Sequence, residues 1–263
     1  MTEEPALSVL HPASLADAVA MVRDGATGTR RYAAGATAIQ LEWARGLAKP
    51  SALVDLGRIP GLAGITAEQG YLGIGASTPL ASLVTDRRIG TASPLLAATA
   101  RTVAGPAVRN LGTIGGNVAG RTGCLLPPLL ALNAELDIFG RNGPFREDLA
   151  DWLGRAADPA DIITAIRLPA MMAECRWTQR KIGLRAAFTP SVISVAGILD
   201  IDGDRILAAR LAVGGGIVRP MRLRAVETSL AGQSLAACDW QKLRHDLFCA
   251  IEAPDGDFRS GRY

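Results

Sequence analysis

Two short glycine-bearing stretches hold the residue types that can grip a ligand without a charged side chain. One is Thr113-Ile-Gly-Gly-Asn117, at the end of Ala104-Gly-Pro-Ala-Val-Arg-Asn-Leu-Gly112; the other is Ala34-Gly-Ala-Thr-Ala38. Glycine accepts φ > 0 and lets backbone approach a ligand closely, so Gly115 and Gly116 can point consecutive N–H groups at one anion. The Thr113 hydroxyl and the Asn117 amide add neutral donors. In the second stretch a short apolar strand breaks at Gly35 into a helix, whose first-turn N–H groups lack partners and favour an anion. Both stretches therefore suit phosphate. Gly73-Ile-Gly-Ala-Ser-Thr78 partly mimics a dinucleotide fingerprint, but the third glycine and the preceding βαβ context are missing, which excludes a Rossmann site.

Bond-making chemistry has no visible apparatus. No nucleophile–base pair stands out. Two histidines, His11 and His245, and four cysteines at 124, 175, 238 and 249 form no Cys-x-x-Cys pair, so no zinc or iron–sulfur ligand set is expected. The 263 residues are 49% hydrophobic and 20% charged, which supports a sizeable core and two or three compact units. A net charge of +3 with scattered arginines and 5% aromatics argues against nucleic acid as partner. No apolar run is long enough for a membrane span, and Met1-Thr-Glu-Glu-Pro5 has neither the basic nor the apolar part of a secretory signal, so the expected location is the cytoplasm.

The elements that must position the two stretches are legible in outline. Ser14 should cap a helix carrying Leu15, Ala18, Val19 and Val22 on one face. A strand over 31–34 and a helix to about Arg45, stopped by Gly46, enclose the Gly35 turn. Residues 51–56 read as a buried strand, and 64–67 with 71–75 as a hairpin. Thr78 and Pro79 should start a helix as N-cap and first residue. A helix over 94–103 delivers the chain to Ala104, and 127–132 starts a buried helix. Strands follow over 135–139 and 161–169, with a short helix from Asp148 to Leu153 between them, then a hairpin over 194–201 and 205–213 broken by Gly214-Gly-Gly216, and two helices over 222–231 and 239–252.

Arg101–Asn117, followed by Leu125-Leu-Pro-Pro-Leu-Leu-Ala-Leu132, resembles the flavin-binding medium subunit of the molybdenum hydroxylases, as found in aerobic carbon monoxide dehydrogenase and xanthine dehydrogenase. The resemblance runs along nearly the whole chain. It implies an α+β fold: a two-lobed FAD-binding domain of the vanillyl-alcohol-oxidase/PCMH type over 1–170, with lobes of about 1–57 and 58–170, and a smaller α+β C-terminal domain of the CO dehydrogenase flavoprotein type over 171–263. It implies that Thr113, Ile114, Gly115, Gly116 and Asn117 touch the FAD pyrophosphate and that Ala34, Gly35, Ala36, Thr37 and Ala38 form its second wall. By the same resemblance a backbone near Ile163 meets the adenine, Lys181 lies by the isoalloxazine, and Cys124 takes the place of an aspartate that binds the ribose. The implied function is electron transfer from [2Fe-2S] clusters on a small partner subunit, through FAD, to an external acceptor. The resemblance implies that those electrons come from substrate oxidised on a molybdopterin-binding large subunit, the whole forming a heterotrimer or its dimer.

The chain departs from the family pattern at two points. Ala36 stands where a second glycine is usual, and an Ala in αL costs about 1 kcal/mol or more. Only six residues separate Asn117 from Cys124, a shortened loop, and a thiol in place of a carboxylate removes about 1.5–3 kcal/mol of binding to a hydroxyl. These departures frame an alternative: a structural subunit of the same complex with a degenerate flavin site.

Overall fold

The computed structural model describes residues 7–24, 29–68, 70–170, 175–183, 191–216 and 218–251. The first part of the chain builds a small parallel sheet from β1 (Ser8–Leu10), β2 (Arg30–Ala33) and β3 (Ala52–Asp55), in the order β1-β3-β2. Parallel neighbours need crossovers, and two helices supply them, α1 (Leu15–Arg23) and α2 (Thr37–Ala44). Ser14 caps α1 as its sequence suggests, its hydroxyl accepting from the Asp17 N–H at 3.1 Å. Side chains alternate across the strands, so Tyr32 and Val54 pack with Ala18 and Val19 of α1 while Ala33 and Leu53 pack with Ile39 of α2. The sheet is thus covered on both faces.

A second, antiparallel sheet runs in the order β4-β5-β8-β6-β7, from β4 (Ile65–Glu68), β5 (Tyr71–Gly75), β6 (Glu135–Gly140), β7 (Gly143–Asp148) and β8 (Ile162–Pro169). Short helices fill the sequence between: α3 (Leu80–Thr85), α4 (Arg87–Ala92), α5 (Pro94–Arg101), α6 (Pro106–Leu111), α7 (Ile114–Ala119), α8 (Leu126–Ala131) and α9 (Leu149–Gly154). The largest core cluster lies here, with Leu72, Ile74, Leu95, Leu96, Leu126 and Leu136 essentially without exposure. Each such side chain contributes about 1.5–3 kcal/mol of burial. Every residue of α8 is buried, and its Pro127 and Pro128 sit in the first turn, where their missing N–H groups cost nothing.

The third sheet, order β12-β11-β10-β9, is antiparallel: β9 (Arg176–Gly183), β10 (Ser191–Asp202), β11 (Arg205–Gly215) and β12 (Val218–Arg222), followed by α10 (Arg224–Leu230) and α11 (Trp240–Ala250). Helix α8 packs against β10, β11 and β12, and Ala196, Ile198 and Ala212 join the same core as the second sheet. Glu227 is buried at 7% exposure. Its carboxylate accepts from the Leu211 N–H (2.7 Å) and from Arg222 Nε (2.8 Å) and Nη2 (2.6 Å), which meets the condition for burying a charge.

Several expectations need correction. Pro79, with extended ψ, is the N-cap of α3, and Thr78 instead bridges Gly64, accepting from its N–H (2.9 Å) and donating to its carbonyl (3.1 Å). The stretch from 104 to 117, whose adjacent glycines suggest an open loop, is mostly helical, formed by α6 and the start of α7. Strands β7 and β12 and helix α4 escaped the sequence reading, being short and without a clean period. Among the described residues, no helix is long and apolar enough to cross a membrane, and no cluster of His, Cys, Asp or Glu is arranged to hold a metal.

Candidate functional site

The two glycine-bearing stretches meet. A Cβ placed on Gly35 would lie 1.8 Å from the Leu111 carbonyl oxygen and 3.0 Å from the Gly112 Cα, and one on Gly112 would lie 3.1 Å from Thr37 Oγ1. Glycine at 35 is therefore required by backbone contact. The left-handed residue of this bend is its neighbour Ala36, at φ 52°, which serves as the N-cap of α2 without a side-chain hydrogen bond. Among the described residues no protein acceptor meets the N–H groups of 35–39, and the first amide of this turn to be bonded is that of Gln40, to the Ala36 carbonyl at 3.1 Å. A row of open donors results.

The second stretch behaves differently. Neither Gly115 nor Gly116 has a positive φ; both belong to α7. The Ile114 N–H donates to Thr78 O (3.1 Å), that of Gly115 to Ala76 O (2.8 Å) and that of Asn117 to Thr113 O (3.0 Å). The Gly116 N–H donates to Thr113 Oγ1, the N-cap of α7, at 3.1 Å. A Cβ on Gly115 would meet that of Ala76 at 2.6 Å, so glycine here serves helix-to-strand packing.

Between the stretches runs a cleft of about 290 Å³. One wall is the C-terminal end of β2 with Ala34 and Leu56, the place where α/β sheets present ligands. Ala76, Ser77, Thr113, Gly115 and Gly116 line it further, together with residues 157–159 and 161–163. Tyr32 spans the cleft, its hydroxyl donating to Ala160 O at 3.2 Å. Burial raises the Tyr32 pKa well above the usual phenol value, with Asp158 and Asp161 adding to the effect, so the group stays a neutral donor. Asp158 is held below the usual carboxylate range, first by the Ala160 N–H bonded to it and then by Arg141.

Arg121 closes one end. Its guanidinium carbon lies 4.1 Å from the centroid of the Trp152 ring, and burial, reinforced by Arg155 and Arg219, lowers its pKa. Nη1 donates to Arg155 O (2.9 Å) and Nη2 to Trp152 O (3.0 Å), which caps the C-terminal end of α9. Arg121 is itself left-handed, at φ 55°.

The cleft can hold part of an extended nucleotide, and the open amides that adjoin it, with the uncharged hydroxyls of its lining, suit a diphosphate. Known proteins agree with that fit. Residues 5–171 match the family described as the FAD binding domain in molybdopterin dehydrogenase. The chain belongs to this family. The carbon monoxide dehydrogenase medium chain of Hydrogenophaga pseudoflava is 30% identical over 255 residues, covering 94% of this chain and 88% of its own. Nicotine 6-hydroxylase medium subunit of Paenarthrobacter nicotinovorans is 29% identical over 246 residues, covering 88% and 82%. A solved structure of carbon monoxide dehydrogenase from Hydrogenophaga pseudoflava, lacking the Mo-pyranopterin moiety of its molybdenum cofactor, superposes with a TM-score of 0.89 at 25% identity over 98% of this chain and 91% of that one. FAD is the cofactor of the family, its members are oxidoreductase subunits, and the relatives are medium subunits of multi-subunit enzymes.

Within this FAD-binding chain the structure gathers some of the expected positions and not others. Ala34, Thr113, Gly115, Gly116 and Ile163 line the cleft, and Gly35, Ala36, Thr37 and Ala38 adjoin it at the start of α2. The Ile114 side chain is fully buried in the core. Asn117 closes its own loop, Oδ1 accepting from the Leu125 N–H at 3.1 Å. Cys124 is outside the cleft lining, its Sγ 3.5 Å from Ser191 Oγ on β10. Lys181, on β9, donates from Nζ to Thr102 O at 3.0 Å, also outside the lining. Tyr32, Trp152, Asp158 and Asp161 were missed. Tyr32 had a signal, since it leads a strand into the Gly35 bend; the others are brought in by tertiary packing alone.

Proposed function

We propose that this chain is the FAD-carrying electron-transfer subunit of a heteromeric molybdenum hydroxylase. The observation that carries the reading is the open row of amides at 35–39, set against Leu111–Gly112 beside the cleft. In this reading residues 1–170 are the two-lobed flavin domain of the vanillyl-alcohol-oxidase/PCMH type, with lobes of about 1–57 and 58–170, and 171–263 are the C-terminal domain. Partner chains would carry the molybdopterin and the two-iron clusters, as a heterotrimer or its dimer.

FAD, when bound, supplies the redox chemistry, taking up electrons and handing them to an external acceptor. The protein's part is to hold and insulate. Amides of 35–39 and the Thr37 hydroxyl would donate to the diphosphate, and the start of α2 adds the positive end of a helix dipole. Gly115 and Gly116 would let that group pass close to α7 without a side chain between. Ile163 would offer its backbone to the adenine. Lys181, anchored on the Thr102 carbonyl, would place a cation near the end of α5, where a reduced anionic flavin would gain stability from it.

A second reading rests on position 124. Cys124 pairs with Ser191 and stands out of the cleft, and Ala36 holds a left-handed conformation that costs an alanine about 1 kcal/mol; these departures favour, as the alternative, a scaffold subunit with a decayed flavin site. Reconstitution separates the two. The chain purified with or without its partners should show flavin absorbance or regain it when FAD is added; a colourless protein that takes up no FAD would establish the scaffold.

A further inference from the structure

The Arg121 end of the cleft holds a cation that the protein itself does not neutralise with a carboxylate of its own. Arg155, the neighbouring arginine, forms ion pairs with Glu147 (2.9 Å) and Asp161 (2.6 Å), while Arg121 bonds only to carbonyls. Arg219 reaches the same carbonyl of Leu153 that Arg121 approaches, at 3.2 and 3.5 Å respectively. The guanidinium plane of Arg121 is fixed at its edge by backbone oxygens and rests over the Trp152 indole. Two donors at this end have no partner among the described residues, the buried Nε of Arg121 and the indole Nε1 of Trp152, a residue only 5% exposed. Both side chains line the cleft.

What such a group can bind follows from which of its parts are free. An arginine grips phosphate through the fork of its in-plane N–H groups, and here the Nη donors are spent on carbonyls. Its flat face remains, and a delocalised planar cation stacks well on an aromatic ring. Resting on the FAD reading above, we propose that Arg121 and Trp152 are the end wall for the purine base of the dinucleotide, which stacks on the guanidinium over the indole. The chain thereby retains the nucleotide by stacking at this end, where Cys124 contributes nothing because its thiol faces Ser191.

The test is a set of binding titrations on the full chain stripped of flavin, with FAD, FMN, AMP and UMP as probes. Arg121→Met should weaken FAD and AMP about tenfold and leave FMN, which has no purine base, unchanged. Arg121→Lys keeps the charge without the plane and should weaken FAD as Arg121→Met does. Because Arg121 also caps α9, a comparison needing no substitution runs alongside: the unaltered chain should bind AMP more tightly than UMP. Equal affinity for AMP and UMP, or Arg121→Met binding FAD as the unaltered chain does, overturns the stacking wall and leaves the cofactor reading intact. An unaltered chain that takes up neither FAD nor AMP removes both.

Discussion

The bend at 34–39 and the one at 111–117 share a composition, a glycine among small residues with a threonine close by, and they touch, yet they spend their backbones differently. At Gly35 the chain leaves a parallel strand and enters α2 with its amides unbonded. At Gly115 it enters α7 with the amides of 114–117 all committed to Thr78, Ala76 and Thr113. The first is a donor surface, and the second is a wall whose Gly115 lets it approach Ala76, just past β5. Glycine content alone therefore says nothing about anion binding; what counts is whether another segment has already taken the N–H groups.

The sharpest way to break this contrast is Gly35→Ala. Its methyl would overlap the Leu111 carbonyl at 1.8 Å, and a forced backbone shift of this kind costs about 1–3 kcal/mol or more. The urea midpoint should fall clearly and flavin uptake should be lost with it; an unmoved midpoint would mean that the two bends do not touch in solution. Thr113→Ala comes next, removing the cap on the Gly116 N–H, with an expected loss of about 1 kcal/mol that Thr113→Ser restores. Denaturant titration reads both.

Ala36→Gly should act in the opposite direction. Relief of the left-handed alanine outweighs the added freedom of the unfolded chain by about 0.5 kcal/mol, so the thermal midpoint should rise slightly with FAD affinity retained. A fall in the midpoint would place Ala36 outside the left-handed region. The smallest effect belongs to Gly116→Ala, an exposed helical position where a methyl meets only Thr113 Oγ1, at 3.1 Å. Stability should change by less than about 0.5 kcal/mol. Flavin titration of the same variant sharpens the comparison: strong loss of FAD affinity at unchanged stability would bring the cofactor against α7 as closely as against α2.

Much of this was legible from the chain. Ser14 before an apolar face, the break at Gly35, the stop at Gly46 and the hairpin over 194–213 are local signals, set by neighbours within a few residues. The resemblance at 101–132 led to the family. What misled was also local: two adjacent glycines suggested a left-handed turn where the structure has a helix, because the decisive contact, Gly115 on Ala76, comes from another element. Asn117 looked like a ligand donor, and its carbonyl oxygen is occupied by Leu125.

By itself, then, the sequence determined the position of most of the longer strands and helices, which faces are apolar, and that small residues cluster in two stretches. These follow from side-chain period and backbone freedom, which act over one or two turns. Tertiary structure alone decided which amides stay open, that Cys124 meets Ser191, and that Arg121 lies on Trp152 with its fork on the end of α9. Hydrogen-bond capacity is claimed by whichever group folding brings closest, and those groups lie far along the chain.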